Sequence, residues 1–386
     1  MSINDGFNGE RLKKARIYRG WTVAELADKL ACSRQTVSMY ENKGTKPLDN
    51  DMMENLSNVL GFPTAFFFQK DKEIDIGSTY FRALLTTNKK YRAEQIQKME
   101  FVAQIYSFLS EYINFKPCQI PLIPLGTSPE TAATILRNQW GLGDRPVENI
   151  INLVENHGIL VTAFDTTTDD VDAFSQLVQI KNEDGEYESR FVIGYSNNKT
   201  SAARLHFDIA HELGHICLHD WQENIEDLDK DEFREREDEA HQFAAAFLLP
   251  ESSFSQDAKR VPPTIPAYTQ LKRKWKTSIA AMFRRSYHLG IISMQDYQGG
   301  MITLQKRGYR KSEPLDDTLL TASPALLKTA IHMLFTEKVF TPQTFIEELA
   351  YSQELSLNPE EIERLLDMRG VFKTGNIIPF PDLSVK

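Results

Sequence analysis

Cysteine is scarce: only Cys32, Cys118 and Cys217 occur in 386 residues, far apart and without the paired spacing of a cysteine zinc site. That excludes a disulfide-stapled scaffold and reads as three reduced thiols packed as small apolar groups in a cytoplasmic protein. No stretch approaches the ~18 consecutive apolar residues of a membrane span, and the first residues lack a signal peptide's apolar core, so no membrane partner is expected. Glycine-rich phosphate loops, a nucleophile elbow and internal repeats are also missing. Positive charge is in deficit: 44 Lys and Arg against 54 Asp and Glu leave a formal charge of -10. Such acidity argues against broad coating of nucleic acid and leaves contact by a single module.

What is present is ordinary for a soluble globular chain, with 41% hydrophobic and 25% charged residues. The length implies two or three domains, each large enough for its own core.

His211-Glu212-Leu213-Gly214-His215 is the most informative stretch. Residues four apart share one face of an α-helix, so both imidazoles reach one metal while Glu212 stands beside them. Zinc lowers the pKa of a coordinated water to about 7, and a neighbouring carboxylate then takes its proton. A catalytic zinc usually takes a third protein ligand. Downstream, residues 235–250 carry a helical stripe of Ala240, Phe243, Ala244 and Phe247. Glu239 sits at the edge of that stripe and is read as the third ligand, ahead of Glu237. Glu235, Glu237 and Asp238 read as a solvated acidic face, and a ligand role for His241 requires the opposite face of the helix.

The segments HFDIAHELGHICLH and EDEAHQFAAAFLLP resemble the ImmA/IrrE family of zinc metallopeptidases. The resemblance implies zinc held by His211, His215 and Glu239, with Glu212 as general base. Where the family usually has Asn after Glu-Ala, this chain has His241. His219 continues the i, i+4, i+8 row and, with His241, is expected to support the ligands or contact substrate. The spacing is not that of a metzincin third histidine.

A second pattern lies at the N-terminus. Thr22-Val23-Ala24-Glu25 fits a capping box opening a short helix with Leu26 and Leu30 inward. Ala31-Cys32 makes a turn, and Ser33 caps a second helix. Over about 55 residues this resembles the Cro/repressor-like (Xre) helix-turn-helix family, with Val23 where the family often has Gln. The resemblance implies that the second helix enters the major groove of a double-stranded operator. Arg34 and Gln35 then face base edges, with Ser33, Ser38 and Met39 nearby, while Asn42, Lys43 and Thr45 meet phosphates. Residues 9–46 hold nine basic and four acidic side chains, a local +5 within an acidic chain. Proteins of this type usually bind as homodimers.

The remaining signals organise the chain. Apolar residues recur at helical spacing over residues 89–113, which predicts a long connecting helix that packs on a neighbouring domain, forms a dimer seam or transmits motion. Helices are expected over residues 129–140 and 147–156, then strands over 158–164, 173–180 and 190–195. Residues 171–175 are either a candidate edge strand to which an extended substrate adds or an ordinary hairpin strand, and the sequence does not decide between them. The basic helical pair within 271–289 reads as a solvated face, and Asn358-Pro359-Glu360-Glu361 as a helix start.

These readings give a helix-turn-helix domain (1–75), a helical connector (76–120), an α+β zincin-like peptidase domain (121–300) and a mostly helical C-terminal region (301–386). The functional expectation is a DNA-binding regulator carrying a zinc endopeptidase for a specific protein, such as a repressor. The alternative is a repressor or antitoxin whose zincin domain serves as a sensor or binds a cognate toxin.

Overall fold

The computed structural model describes residues 6–43, 49–70, 75–81, 89–165, 173–181, 187–197, 201–221, 228–320, 322–372 and 384–385. Four helices come first: α1 (Gly9–Tyr18), α2 (Val23–Lys29), α3 (Arg34–Lys43) and α4 (Asn50–Leu60). The expected capping box forms: Glu25 N–H donates to Thr22 Oγ1 at 3.2 Å, and Thr22 N–H to the Glu25 carboxylate at 2.6 Å. Ala31 turns the chain at φ 51°, and Ser33 Oγ accepts from Thr36 N–H at 3.1 Å to cap α3. Arg16 on α1 grips Glu41 on α3 through two bonds of 2.5 and 2.8 Å, so α3 is clamped from behind.

Strand β1 (Asp75–Phe81) and helix α5 (Lys89–Ser110) follow, then the short β2 (Ile113–Asn114). The long helix expected from the apolar spacing is present, and it is no dimer seam. Every residue from 94 to 109 other than Ile96 is buried, Ile96 itself packs on the core, and α5 touches α1, β1, β4 and two C-terminal helices. Four of its polar residues pair within the helix, Lys98 with Glu94 at 2.6 Å and Gln97 with Glu100 at 2.7 Å, and Lys14 of α1 reaches Glu100 at 2.6 Å.

Next come α6 (Pro129–Gln139), α7 (Ile150–Asn156), β3 (Leu160–Phe164), β4 (Ala173–Lys181) and β5 (Tyr187–Ser196). The sheet order is β1-β4-β5-β3, with β3 parallel to β5 and the other pairs antiparallel. Of the two readings of residues 171–175 the structure has the hairpin strand: β4 pairs antiparallel with β5 and is no edge, because β1 from the connector pairs along its outer side. Residues 171 and 172 fall outside the described residues.

Helices α8 (Ala202–Leu218) and α9 (Lys230–Leu248) carry the histidine motif and the acidic segment. They are followed by α10 (Glu251–Lys259), α11 (Ile265–Trp275), α12 (Ile279–His288) and α13 (Met294–Lys306). Last come α14 (Leu326–Thr336), α15 (Pro342–Ser352), α16 (Pro359–Leu365) and the two-residue β6 (Ser384–Val385), which pairs with β2. No described helix is long and apolar enough to cross a membrane.

The sheet divides two cores, as the two-residue period of a strand requires. Leu160, Phe164, Phe174, Val178 and Val192 face one core, shared with the four N-terminal helices, α5 and α14–α16. Val161, Ala163, Ala173, Ile193 and Tyr195 face the other, shared with α6–α12. The N-terminal helices and the C-terminal region thus pack together: Glu361 accepts from Tyr18 at 2.6 Å and Arg19 at 2.7 Å, and Asn358 donates to the Gly61 carbonyl.

Several basic residues serve the fold. Arg11 is fully buried against the carbonyls of Lys70 and Glu354, and Lys14, Arg16 and Arg19 are ion-paired. The local +5 therefore overstates the charge that the N-terminal helices offer a partner. In the helical pair α11 and α12, Arg273, Lys274 and Arg284 are exposed, as expected of a solvated face, but Lys272 is buried between Glu313 and Asp316, and Arg285 clasps Glu130 through bonds of 2.7 and 2.6 Å.

Candidate metal centre

Apolar residues Leu205, Ile209, Ala210, Leu213 and Ile216 anchor α8 in the second core, and Ser201 caps its start. One turn apart on this buried helix, His211 and His215 bring their Nε2 atoms to 3.0 Å. Helix α9 packs directly on this turn. A Cβ added at Gly214 would stand 2.9 Å from Ala240 Cα, so only glycine admits that approach.

The close packing delivers a carboxylate. Glu237 Oε2 lies 3.4 Å from His211 Nε2, and its Oε1 lies 3.3 Å from His215 Nε2. Ligands 2.0–2.1 Å from one tetrahedral zinc stand about 3.4 Å apart, so the three spacings suit that ion. Among the described residues these three form the group able to hold a metal. Burial, opposed by the hydrogen bond to Glu237, lowers the His211 pKa to about 3. Burial acts to raise the Glu237 pKa, but its bonds to the two histidines prevail and hold it at about 2. The pocket therefore offers neutral imidazole and an ionised carboxylate, which is the donor set a divalent cation takes.

The third-ligand expectation is corrected here. Glu239, two residues on, turns away from the pair and its Oε2 lies 3.1 Å from His219 Nε2. His219 Nδ1 in turn lies 3.0 Å from His215 Nδ1. A consistent proton assignment runs along this chain: His219 Nε2–H donates to Glu239, and His215 Nδ1–H donates to His219. With a metal bound, that assignment leaves the His215 Nε2 lone pair for the ion, as ligation requires. Burial lowers the His219 pKa to about 2, so it stays neutral in this role. Glu237 was legible in principle. It and Glu239 flank the same stripe, and without the packing of Gly214 on Ala240 the sequence does not say which one faces α8.

Glu212 is fully buried, and Ser175 Oγ on β4 donates to its Oε2 at 2.6 Å. Ser175 was not singled out as a site residue, although it lies within the candidate edge strand. His241 packs its ring against His211 with centroids 4.5 Å apart and bonds the Glu237 carbonyl at 2.7 Å. It supports the cluster from behind and also lines a cavity of about 300 Å³ with Phe207, Arg284 and Tyr297.

On α3, Ser33, Arg34, Gln35, Met39 and Asn42 are exposed, and Ser38 is half-buried with its hydroxyl 3.1 Å from Asn42 Nδ2. Positions 34, 35, 38, 39 and 42 share one helical face. The Lys43 side chain and Thr45 lie outside the described residues.

Two segments match known families. Residues 12–67 match the helix-turn-helix family, and residues 154–287 match the IrrE N-terminal-like domain, a peptidase family. The chain is also 39% identical over 61 residues to the SPbeta prophage-derived uncharacterized HTH-type transcriptional regulator YonR of Bacillus subtilis (strain 168). That match covers 16% of this chain and 56% of the relative's length. The chain thus joins a helix-turn-helix domain to a domain of the IrrE-like peptidase family, with a helical C-terminal region.

Proposed function

We propose that this protein is a DNA-binding transcriptional regulator carrying a zinc-dependent endopeptidase that cleaves a specific protein, such as a repressor. The observation that carries the reading is the convergence of His211, His215 and Glu237 on one point, with Glu212 on the same helical turn. Zinc held there supplies a Lewis acid for a peptide carbonyl and a water of lowered pKa. Glu212 takes a proton from the attacking water and returns it to the leaving amine. The Ser175 hydroxyl aims the Glu212 carboxylate, and His219 with Glu239 fixes the tautomer of His215. The exposed face of α3, with Arg34 and Gln35 at its N-terminal end, reads base edges in the major groove, and a homodimer matches a two-fold operator. Such a protein works where its operator lies, in the cytoplasm.

The test is cleavage of a neighbouring gene's repressor-like product by purified wild type and by Glu212→Gln. Cleavage by wild type alone supports the reading, and identical behaviour of the two contradicts it. A second reading, a repressor or antitoxin with a scaffolding zincin domain, is favoured by one observation: the strand edge beside Glu212 is already filled by β1.

A further inference from the structure

A peptide held for hydrolysis is commonly bound as an added strand, since an extended backbone satisfies its N–H and C=O groups against a free sheet edge. Here the strand beside the catalytic helix is β4, whose Ser175 hydroxyl bonds Glu212 at 2.6 Å. One side of β4 is taken by β5 along its whole length. The other side is where a substrate strand would add, and β1 lies there antiparallel, with Tyr80 opposite Ser175 and Phe81 opposite Phe174.

Strand β1 is attached unlike its neighbours. Strands β3, β4 and β5 belong to the segment 154–287 that matches the peptidase family, whereas β1 comes from the linker after the helix-turn-helix module. Its pairing is also broken: three steps from Ile76 to Thr79 oppose two steps from Val178 to Gln176. A bulge of that kind leaves one residue out of the ladder and interrupts the bonding.

We propose that β1 is an internal pseudosubstrate: it occupies the peptide-accepting edge of β4, and an extended peptide must displace it to reach Glu212. This rests on the endopeptidase reading for its biological meaning, while the binding of a strand to β4 does not depend on catalysis. Because β1 directly follows the DNA-reading module and precedes α5, its release is mechanically tied to how the N-terminal helices seat on α5. A regulator built this way stays latent until that seating changes.

The experiment measures binding of a fluorescein-labelled peptide of sequence DIGSTYF, that of β1, to zinc-free full-length protein by anisotropy. Replacing residues 75–81 by a Gly/Ser run of equal length frees the edge, and the expected result is binding at least about tenfold tighter than to wild type. A second variant, Asp75→Cys with Gln179→Cys, joins residues paired across the two strands and, when oxidised, tethers β1 to β4. Oxidised, it should bind no peptide; reduced, it should regain wild-type binding. The proposal is overturned if the Gly/Ser variant folds yet binds no better than wild type, or if the oxidised pair binds as well as the reduced one. Either result leaves the cleavage test of Glu212→Gln untouched, so the two readings fail separately.

Discussion

Glu237 and Glu239 stand two residues apart on α9 and bond in different directions: Glu237 lies 3.3–3.4 Å from the two Nε2 atoms, and Glu239 lies 3.1 Å from His219. On the metal-centre reading proposed above, the first is a ligand and the second anchors the histidine that orients one. Glu237→Ala should lose its zinc on dialysis. Glu239→Ala should keep stoichiometric zinc at saturation while binding it about 10–100-fold more weakly, the usual cost of removing a ligand's supporting partner. Metal analysis against a competing chelator reads both. Equal loss in the two variants contradicts the assignment.

Ser175 donates to a buried carboxylate, and hydrogen bonds to charged groups contribute about 1.5–3 kcal/mol. Ser175→Ala should therefore lower kcat by about 10–100-fold with zinc content unchanged. A loss of zinc instead would mean that the hydroxyl shapes the metal pocket and not the base.

Gly214 lets α9 approach α8, and any side chain there meets the Ala240 backbone. Gly214→Val should cost about 1–3 kcal/mol by overpacking and displace Glu237, so both Tm and zinc retention fall. Thermal denaturation with and without zinc tests this. A variant with unchanged Tm and unchanged metal binding would show that the two helices are free to part.

Glu155 is fully buried at the start of α14, where it accepts from the Ala325 and Leu326 N–H groups. Burial, opposed by those two bonds, raises its pKa from 4.5 to about 8. Between those values the unfolded chain has released the proton and the folded one keeps it. Stability from this group is therefore whole below pH 4.5 and is lost as pH rises towards 8, by on the order of 5 kcal/mol. Glu155→Gln should flatten that slope in denaturant titrations from pH 5 to 8. An unchanged slope would show that the carboxyl ionises freely in the folded protein.

Arg34 and Gln35 are exposed, whereas Arg16 is locked to Glu41. Arg34→Ala and Gln35→Ala should each cost about 1–3 kcal/mol of operator discrimination and leave the fold intact. Arg16→Ala should instead loosen α3 and lower stability. Selection of preferred sequences from a random duplex pool, alongside circular dichroism, separates the two effects.

The helix-turn-helix was legible because its signals are local: a capping box at Thr22–Glu25, a turn at Ala31 and a cap at Ser33 sit within a dozen residues. The histidine pair was legible for the same reason, since four residues of helix set both imidazoles. What lay beyond the sequence is long-range packing. Which carboxylate faces the histidines depends on Gly214 meeting Ala240. That Arg11 and Lys272 are buried depends on carbonyls and carboxylates far along the chain. That the linker supplies strand β1 depends on β4, nearly a hundred residues later. Charge counting misread the N-terminal helices because it takes every basic residue as solvent-facing.

X-ray absorption at the zinc edge of the full-length protein tests the central claim most directly. Two imidazole nitrogens with carboxylate and water oxygen at about 2.0–2.2 Å are expected, and Glu237→Ala dialysed alongside should show no bound zinc. Sulfur scattering at about 2.3 Å, or a spectrum that Glu237→Ala leaves unchanged, would contradict it.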